Sequence, residues 1–117
     1  MDFEVAKALC RTFPGATEDL KWETRAVFSV GEKMFAMSDH AVPAAGICFK
    51  VDDERFLELT DRPGIIPAPY LARAKWVYVE NPKALSDAEG AALLRRAYEL
   101  IFARLTRKLQ RQIGEQA

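Results

Sequence analysis

Hydrophobic residues recur along this chain with two different periods, and the changes of period mark out its elements. Phe3, Ala6, Leu9, Cys10 and Phe13 fall at helical spacing behind Asp2, which predicts an opening helix with Asp2 as its N-cap. Pro14 and Gly15 end it, because the residue before a proline is pushed out of the α region and glycine permits the turn that follows. Period two then takes over in DLKWETRAVFSVGEKMFAMSD, where β-branched and aromatic residues flank Gly31–Glu32. That pattern predicts a β-hairpin closed by a two-residue type II′ turn. Strict alternation puts Ala26, Phe28 and Val30 on one face of the first strand. On its partner it separates Met34 and Ala36 from Phe35 and Met37.

HAVPAAG reads as a loop, and GICFKV as a strand with Ile47, Phe49 and Val51 on one face and Cys48 and Lys50 on the other. DDERFLELT reads as a short helix whose acids complement the macrodipole in the first turn. RPGIIPAPYLARAKWV follows. Through Pro69 it reads as a stiff, irregular connection, and it leads into KWVYVE, a strand alternating Trp76, Tyr78 and Glu80 with Val77 and Val79. Ser86 and Glu89 form an S-x-x-E capping box. Leu94, Ala97, Tyr98, Ile101, Leu105 and Leu109 continue from it as one apolar stripe of a single long helix. The order is one helix, three or four strands, a helix, a strand and a helix. It predicts a single α+β domain of two layers, a mostly antiparallel sheet with helices packed on one face.

Composition narrows the function classes. Half of the 117 residues are hydrophobic and 29% are charged, a globular balance. No apolar run approaches the roughly 20 residues that span a bilayer, and MDFEVAKALC carries acids where a secretory leader carries cations, so a cytoplasmic location is expected. Cys10 and Cys48 stand far apart, there is no CxxC, and His40 is the one histidine, too few ligands for a structural zinc site. The cysteines read as reduced, small apolar side chains, and no metal or cofactor is expected. Net charge is zero but uneven: residues 1–60 hold seven Lys/Arg against eleven Asp/Glu, and residues 61–117 ten against six. A basic half of this kind suits an anionic partner.

Candidate chemistry is sparse. Ser38, Asp39 and His40 have the residue types of a triad, but a triad needs separate segments converging on one point. Asp52, Asp53 and Glu54 are explained by their place at a helix start. Phosphate-binding glycine loops are missing. A non-catalytic protein is therefore expected. Two sets of residues suit binding. In the first, Lys50, Arg73 and Lys75 would contact phosphates while Tyr70, Trp76 or Tyr78 stack on bases, as aromatics do in single-strand binders; a purely structural role for Trp76, filling the core beneath a helix, competes with that. The second is Arg104, Arg107, Lys108 and Arg111, spaced to form one stripe near the end of the last helix. There the competing reading is a solvated face whose cations complement the helix C-terminus.

FPGATEDLKW, FSVGEKMFAM, CFKV, PGIIPAPYLARAKWV and AYELIFARLTRK resemble, in order and over nearly the whole chain, the successive blocks of the MmcQ/YjbR-like family. Lys33, Lys50, Pro67, Tyr70, Lys75 and Trp76 match its recurrent pattern. The resemblance implies a fold similar to the frataxin (CyaY-like) and secretion-chaperone-like arrangement, no established catalytic residues, and DNA as the usual description of the partner. The sequence departs from a simple DNA binder in its neutral charge and pI near 6.6. DNA binding is thus the expected function. A protein-interaction module is the alternative, and a small-ligand pocket walled by PAPY is a third possibility.

Overall fold

A computed structural model of the chain describes residues 1–21, 24–39 and 46–116. Among them the elements run α1 (Phe3–Thr12), β1 (Ala16–Lys21), β2 (Arg25–Val30), β3 (Lys33–Asp39), β4 (Ile47–Lys50), α2 (Asp53–Thr60), β5 (Ile65–Pro67), β6 (Trp76–Val79), α3 (Asp87–Phe102) and α4 (Arg107–Gln116). The strands form one sheet in the order β1-β2-β3-β4-β6-β5, antiparallel at every pairing. The α+β class and the helix-backed sheet expected from the sequence are both present.

Local chemistry starts the helices as the sequence indicates. The Asp2 carboxylate accepts from the Glu4 and Val5 amides, at 2.8 and 3.1 Å. The Ser86 hydroxyl accepts from the Glu89 amide at 3.1 Å. Only half of the expected capping box closes, because the Glu89 carboxylate is taken by Arg62 at 2.7 Å.

Helices α1, α2 and α3 cover one face of the sheet. Beneath them lies the main core, built on the fully buried Phe28, Phe35, Phe49, Ile47, Leu59, Leu94 and Val79. Phe13, Phe35 and Tyr98 pack ring against ring there, and the Tyr98 hydroxyl donates to the Pro14 carbonyl at 2.6 Å. The opposite face carries a smaller cluster of Val27, Met37, Cys48, Ala68 and Trp76. Among the described residues no α-helix covers it; the segment between β5 and β6, which includes one 3-10 turn at Ala72–Ala74, folds over part of it.

Four features differ from expectation, each for a physical reason. The hairpin turn has positive φ at both Gly31 (56°) and Glu32 (66°), which is type I′ geometry rather than II′. A β-bulge lies in β3, where Phe28 pairs with Ala36 but Ser29 pairs with Met34. The extra residue, Phe35, breaks the alternation, so Phe35 and Ala36 both face the main core while Met34 and Met37 both face the smaller cluster. The stiff connection contains β5, which pairs with β6 through Ile65–Val79, Ile66–Tyr78 and Pro67–Val77.

Finally, the long helix is two. It stops at Phe102, and α4 begins after Thr106, whose hydroxyl accepts from the Leu109 amide at 3.2 Å as a new N-cap. The Gln110 amide reaches back to the Phe102 and Leu105 carbonyls, at 3.1 and 3.0 Å, satisfying the end of α3. Leu105, Leu109 and Ile113 then turn α4 against Gly31 and Gly15, across the end of β1–β3.

Candidate functional site

The register of the sheet sets out the helix-free face row by row. Asp19, Val27, Met37, Cys48, Tyr78 and Ile66 are cross-strand neighbours in sequence across all six strands. Toward the Gly31 end, Lys50 pairs with Trp76; toward the other end, Lys21 pairs with Arg25. The face therefore does bring Lys50, Trp76 and Tyr78 together, as the alternation of β4 and β6 implies.

What happens to these side chains is set by the segment 68–75. It is held by its own turns: the Leu71 amide donates to the Ala68 carbonyl, the Ala74 amide to Leu71, and the Ala68 amide to the Trp76 carbonyl, at 3.0–3.1 Å. Two non-glycine residues within it, Tyr70 (φ 66°) and Lys75 (φ 62°), lie in the left-handed region. That conformation is uncommon for any L residue and costs about 1 kcal/mol or more, and such residues collect at functional segments.

The segment buries Trp76 to 4% exposure and Lys50 to 6%. The Lys50 ammonium donates to the Ala74 carbonyl at 2.6 Å. Burial first, then Arg104 and Lys75 nearby, pull Lys50 below the ordinary lysine range, against the opposing pull of Asp53 and Asp52. Both residues are thus parts of the folded scaffold, Lys50 pinning the segment and Trp76 lying under it. Trp76 is core, as one reading of the sequence has it, but beneath a loop on the open face and not beneath a helix.

Tyr70, in contrast, is fully exposed, and Arg73 is exposed. The Lys75 ammonium stands 5.0 Å from the centre of the Phe56 ring. Between the segment and the sheet lies an open groove of about 450 Å³. Met34, Met37, Cys48 and Tyr78 form its floor; Pro69, Tyr70 and Leu71 wall it on one side, and Arg25 lies at its edge. The Tyr78 hydroxyl is fixed by the Gly46 amide at 3.2 Å. The Cys48 thiol is pushed up to about 11, chiefly by burial, so at neutral pH it is an uncharged part of the floor. The sequence offered PAPY as a pocket wall, and Pro69 and Tyr70 do wall the groove; its floor was not legible, because it depends on the bulge that turns both methionines to one face and on the fold-back of the loop.

The basic residues near the chain end do not form the expected stripe. Arg104 lies in the connection between α3 and α4, while Arg107, Lys108 and Arg111 are exposed on α4. Arg107 and Lys108 occupy the first turn of that helix, where the macrodipole is unfavourable to cations. The structure removes the helix-complementing explanation for them. It also joins the two candidate sets, since Arg104 and Lys75 both act electrostatically on Lys50. Lys33, next to the Gly31 turn on which Leu105 packs, stands at the same end of the sheet.

Ion pairing divides the cations sharply. Arg55 and Arg62 share Glu58 and Glu89, Arg96 holds Asp52 at 2.9 Å, Arg11 holds Glu18 at 2.6 Å, and Lys7 holds Glu4 at 2.8 Å. Among the described residues, no carboxylate lies within ion-pair distance of Arg73, Lys75, Arg104, Arg107, Lys108 or Arg111. Nor does any group of three or more His, Cys, Asp or Glu there suit a metal ion. Ser38 is buried and its hydroxyl donates to the Gly46 carbonyl at 3.0 Å, while His40 lies outside the described residues. Asp52 is engaged by Arg96, which holds its carboxyl below the usual carboxylate range. No helix among the described residues is long and apolar enough to cross a membrane.

A family model described as YjbR matches residues 11–100. The chain belongs to the YjbR family. The fold is shared with a crystal structure of a Deinococcus radiodurans protein with the family-model domain DUF419, at 24% identity and a TM-score of 0.83 over 96% of this chain and 87% of that one. It is also shared with a Pseudomonas syringae protein solved by a structural genomics consortium, at 22% identity and a TM-score of 0.69 over 86% of this chain and 99% of that one. No curated protein matches. The YjbR match takes in the groove floor, the 68–75 segment and most of α3; Arg104 and the cations of α4 lie beyond it.

Proposed function

We propose that this YjbR-family protein is a non-catalytic DNA-binding protein whose contacts are made by the basic end of the sheet. The observation that carries the reading is the grouping of cations without carboxylate partners at that end. Arg104 and Lys75 both help pull the buried Lys50 below the ordinary lysine range, with Arg73 on the same segment as Lys75 and with Arg107, Lys108 and Arg111 on the helix that follows Arg104. Holding like charges together, two of them in a helix first turn, costs stability that a polyanion recovers. Tyr70 adds an exposed ring on the segment that carries Arg73 and Lys75. Lys50 acts by fixing that segment, and Trp76 by supporting it.

Phosphate contacts of this kind release counterions. Four of them give a log–log salt slope of about −3.6 on duplex DNA. Anisotropy titrations of labelled duplex and single-stranded DNA over a salt series test the reading. Dissociation constants at low salt below roughly 100 μM, weakening with salt, are expected; failure of either DNA to bind below that concentration refutes it. The apolar groove favours a second reading, in which a partner polypeptide inserts a hydrophobic side chain there. That complex would be nearly insensitive to salt, which separates the two.

A further inference from the structure

We infer that the groove on the helix-free face takes an unstacked base, so that the preferred ligand is single-stranded and not duplex nucleic acid. The inference rests on the DNA reading above and deepens it. It stands on three observations that the phosphate contacts alone do not explain.

The first is the layout of charge along the groove. Arg25 lies at one end, with Lys21 as its cross-strand neighbour, and exposed Arg73 lies on the segment at the other, where Lys50 pairs with Trp76; the Lys75 ammonium is turned away, 5.0 Å from the Phe56 ring of α2 in the helical layer. Between them the floor is Met34, Met37, Cys48 and Tyr78, which offer no net charge. Cations at both ends of an apolar, aromatic bed match the arrangement that tracks a single strand, with phosphates outside and bases on the bed. Asp19, beside Val27, limits the phosphate contact at the Arg25 end.

The second is Tyr70. Its ring is fully exposed on the groove wall, and its backbone holds a left-handed conformation that a bulky residue seldom adopts. A solvated ring on a strained backbone contributes nothing to the fold. Above a groove with Tyr78 in its floor, it is placed to close on a flat ring system. The third is size and chemistry. About 450 Å³ lies within the range of sites for drug-sized ligands, which includes a nucleotide. A duplex keeps its bases stacked inside and presents none to such a groove; single strands splay theirs out. With the thioethers of Met34 and Met37 as the bed, the fit is adaptable and sequence preference is weak.

The experiment compares three labelled ligands of about 12 nucleotides, a length within single-strand site sizes: a thymidine strand, an abasic strand of equal charge, and a duplex. The thymidine strand binds tightest. Tyr70→Ala weakens it by roughly 5- to 150-fold, the range for losing one stacked base, with an unchanged salt slope and no effect on the abasic strand. Tyr70→Phe restores the affinity. Because Tyr70 is fully exposed, the variants fold, and circular dichroism verifies that. Equal binding of the thymidine and abasic strands overturns the inference and leaves the phosphate reading standing. Binding of none of the three removes both. A labelled apolar peptide that binds in a Tyr70-dependent manner, while the thymidine strand does not, also overturns it and gives the groove to a polypeptide.

Discussion

Replacing Lys50 with methionine separates holding the fold from holding a ligand. The ammonium is buried and donates to the Ala74 carbonyl at 2.6 Å, tying the end of β4 to the turn that carries Arg73 and Lys75. A hydrogen bond from a charged donor contributes about 1.5–3 kcal/mol, and its loss leaves a carbonyl short of a partner. Methionine keeps most of the apolar stem packed against Trp76's side of the sheet. It also escapes the desolvation that, with Arg104 and Lys75, depresses the lysine's proton affinity. The balance is a loss of about 1–2 kcal/mol, or roughly 4–8 °C in Tm for a domain of this length. The assay is thermal unfolding followed by circular dichroism, paired with a DNA salt titration well below the transition. A lower Tm with an unchanged salt slope is expected. An unchanged Tm with a slope shallower by about 0.9, the value of one phosphate contact, would show that Lys50 turns outward to the ligand and would refute the structural role assigned to it.

Other outcomes follow from the same structure. Burial pushes the Cys10 thiol up to about 12 and the Cys48 thiol up to about 11, from an ordinary value of 9.0. The stability carried by these neutral thiols is complete below pH 9 and drains away as pH climbs toward their folded values, by up to about 1.4 kcal/mol per pH unit for each; urea unfolding at pH 8 and 10.5 measures it, and Cys10→Ala flattens the profile. Gly31→Ala forces a Cβ to within 2.6 Å of a Leu105 methyl at φ 56°, and overpacking plus left-handed strain lower stability by about 2–3 kcal/mol in the same assay. Tyr70→Gly relieves a positive φ and raises stability by about 1 kcal/mol while weakening single-strand binding, so the two readouts move in opposite directions. Arg107→Gln and Lys83→Gln change net charge equally, but Lys83 follows β6 at the opposite end from Lys75; only Arg107→Gln makes the salt slope shallower.

Features decided within a few residues were legible in the sequence. Asp2 caps α1, Pro14 and Gly15 end it, Ser86 starts α3, and the alternation of β4 and β6 assigns Lys50, Trp76 and Tyr78 to one face. Features decided by a distant partner were not. The bulge at Phe35 exists because β2 and the helices above it demand both Phe35 and Ala36, which no count along β3 reveals. β5 is a strand because β6 pairs with it, although Pro67 and Pro69 make the segment look like a connection. Glu89 has the spacing of a capping box, yet a guanidinium 27 residues away competes for it and wins, a charged pair outmatching a neutral one. The break in the last helix had a local signal in Thr106, a good N-cap, but the apolar stripe continuing to Leu109 masked it. The candidate residues divide in the same way. Tyr70, Arg73 and the cations of α4 are exposed, whereas Lys50 and Trp76 are withdrawn by a fold-back that only the tertiary structure shows.

Zero net charge carries less weight against a polyanionic ligand once the pairing is known. A phosphate responds to charges within about a Debye length, roughly 8 Å at physiological salt, and not to the sum over the chain. Four of the eleven acids of the first half are held by cations, Glu4 by Lys7, Glu18 by Arg11, Asp52 by Arg96 and Glu58 by Arg55 and Arg62, and Glu89 of the second half is held by Arg55 and Arg62 as well. Each such pair is nearly neutral at a distance. The cations of the second half at the Gly31 end have no such partners among the described residues, so the local field there is more positive than either the total or the half-chain charges suggest.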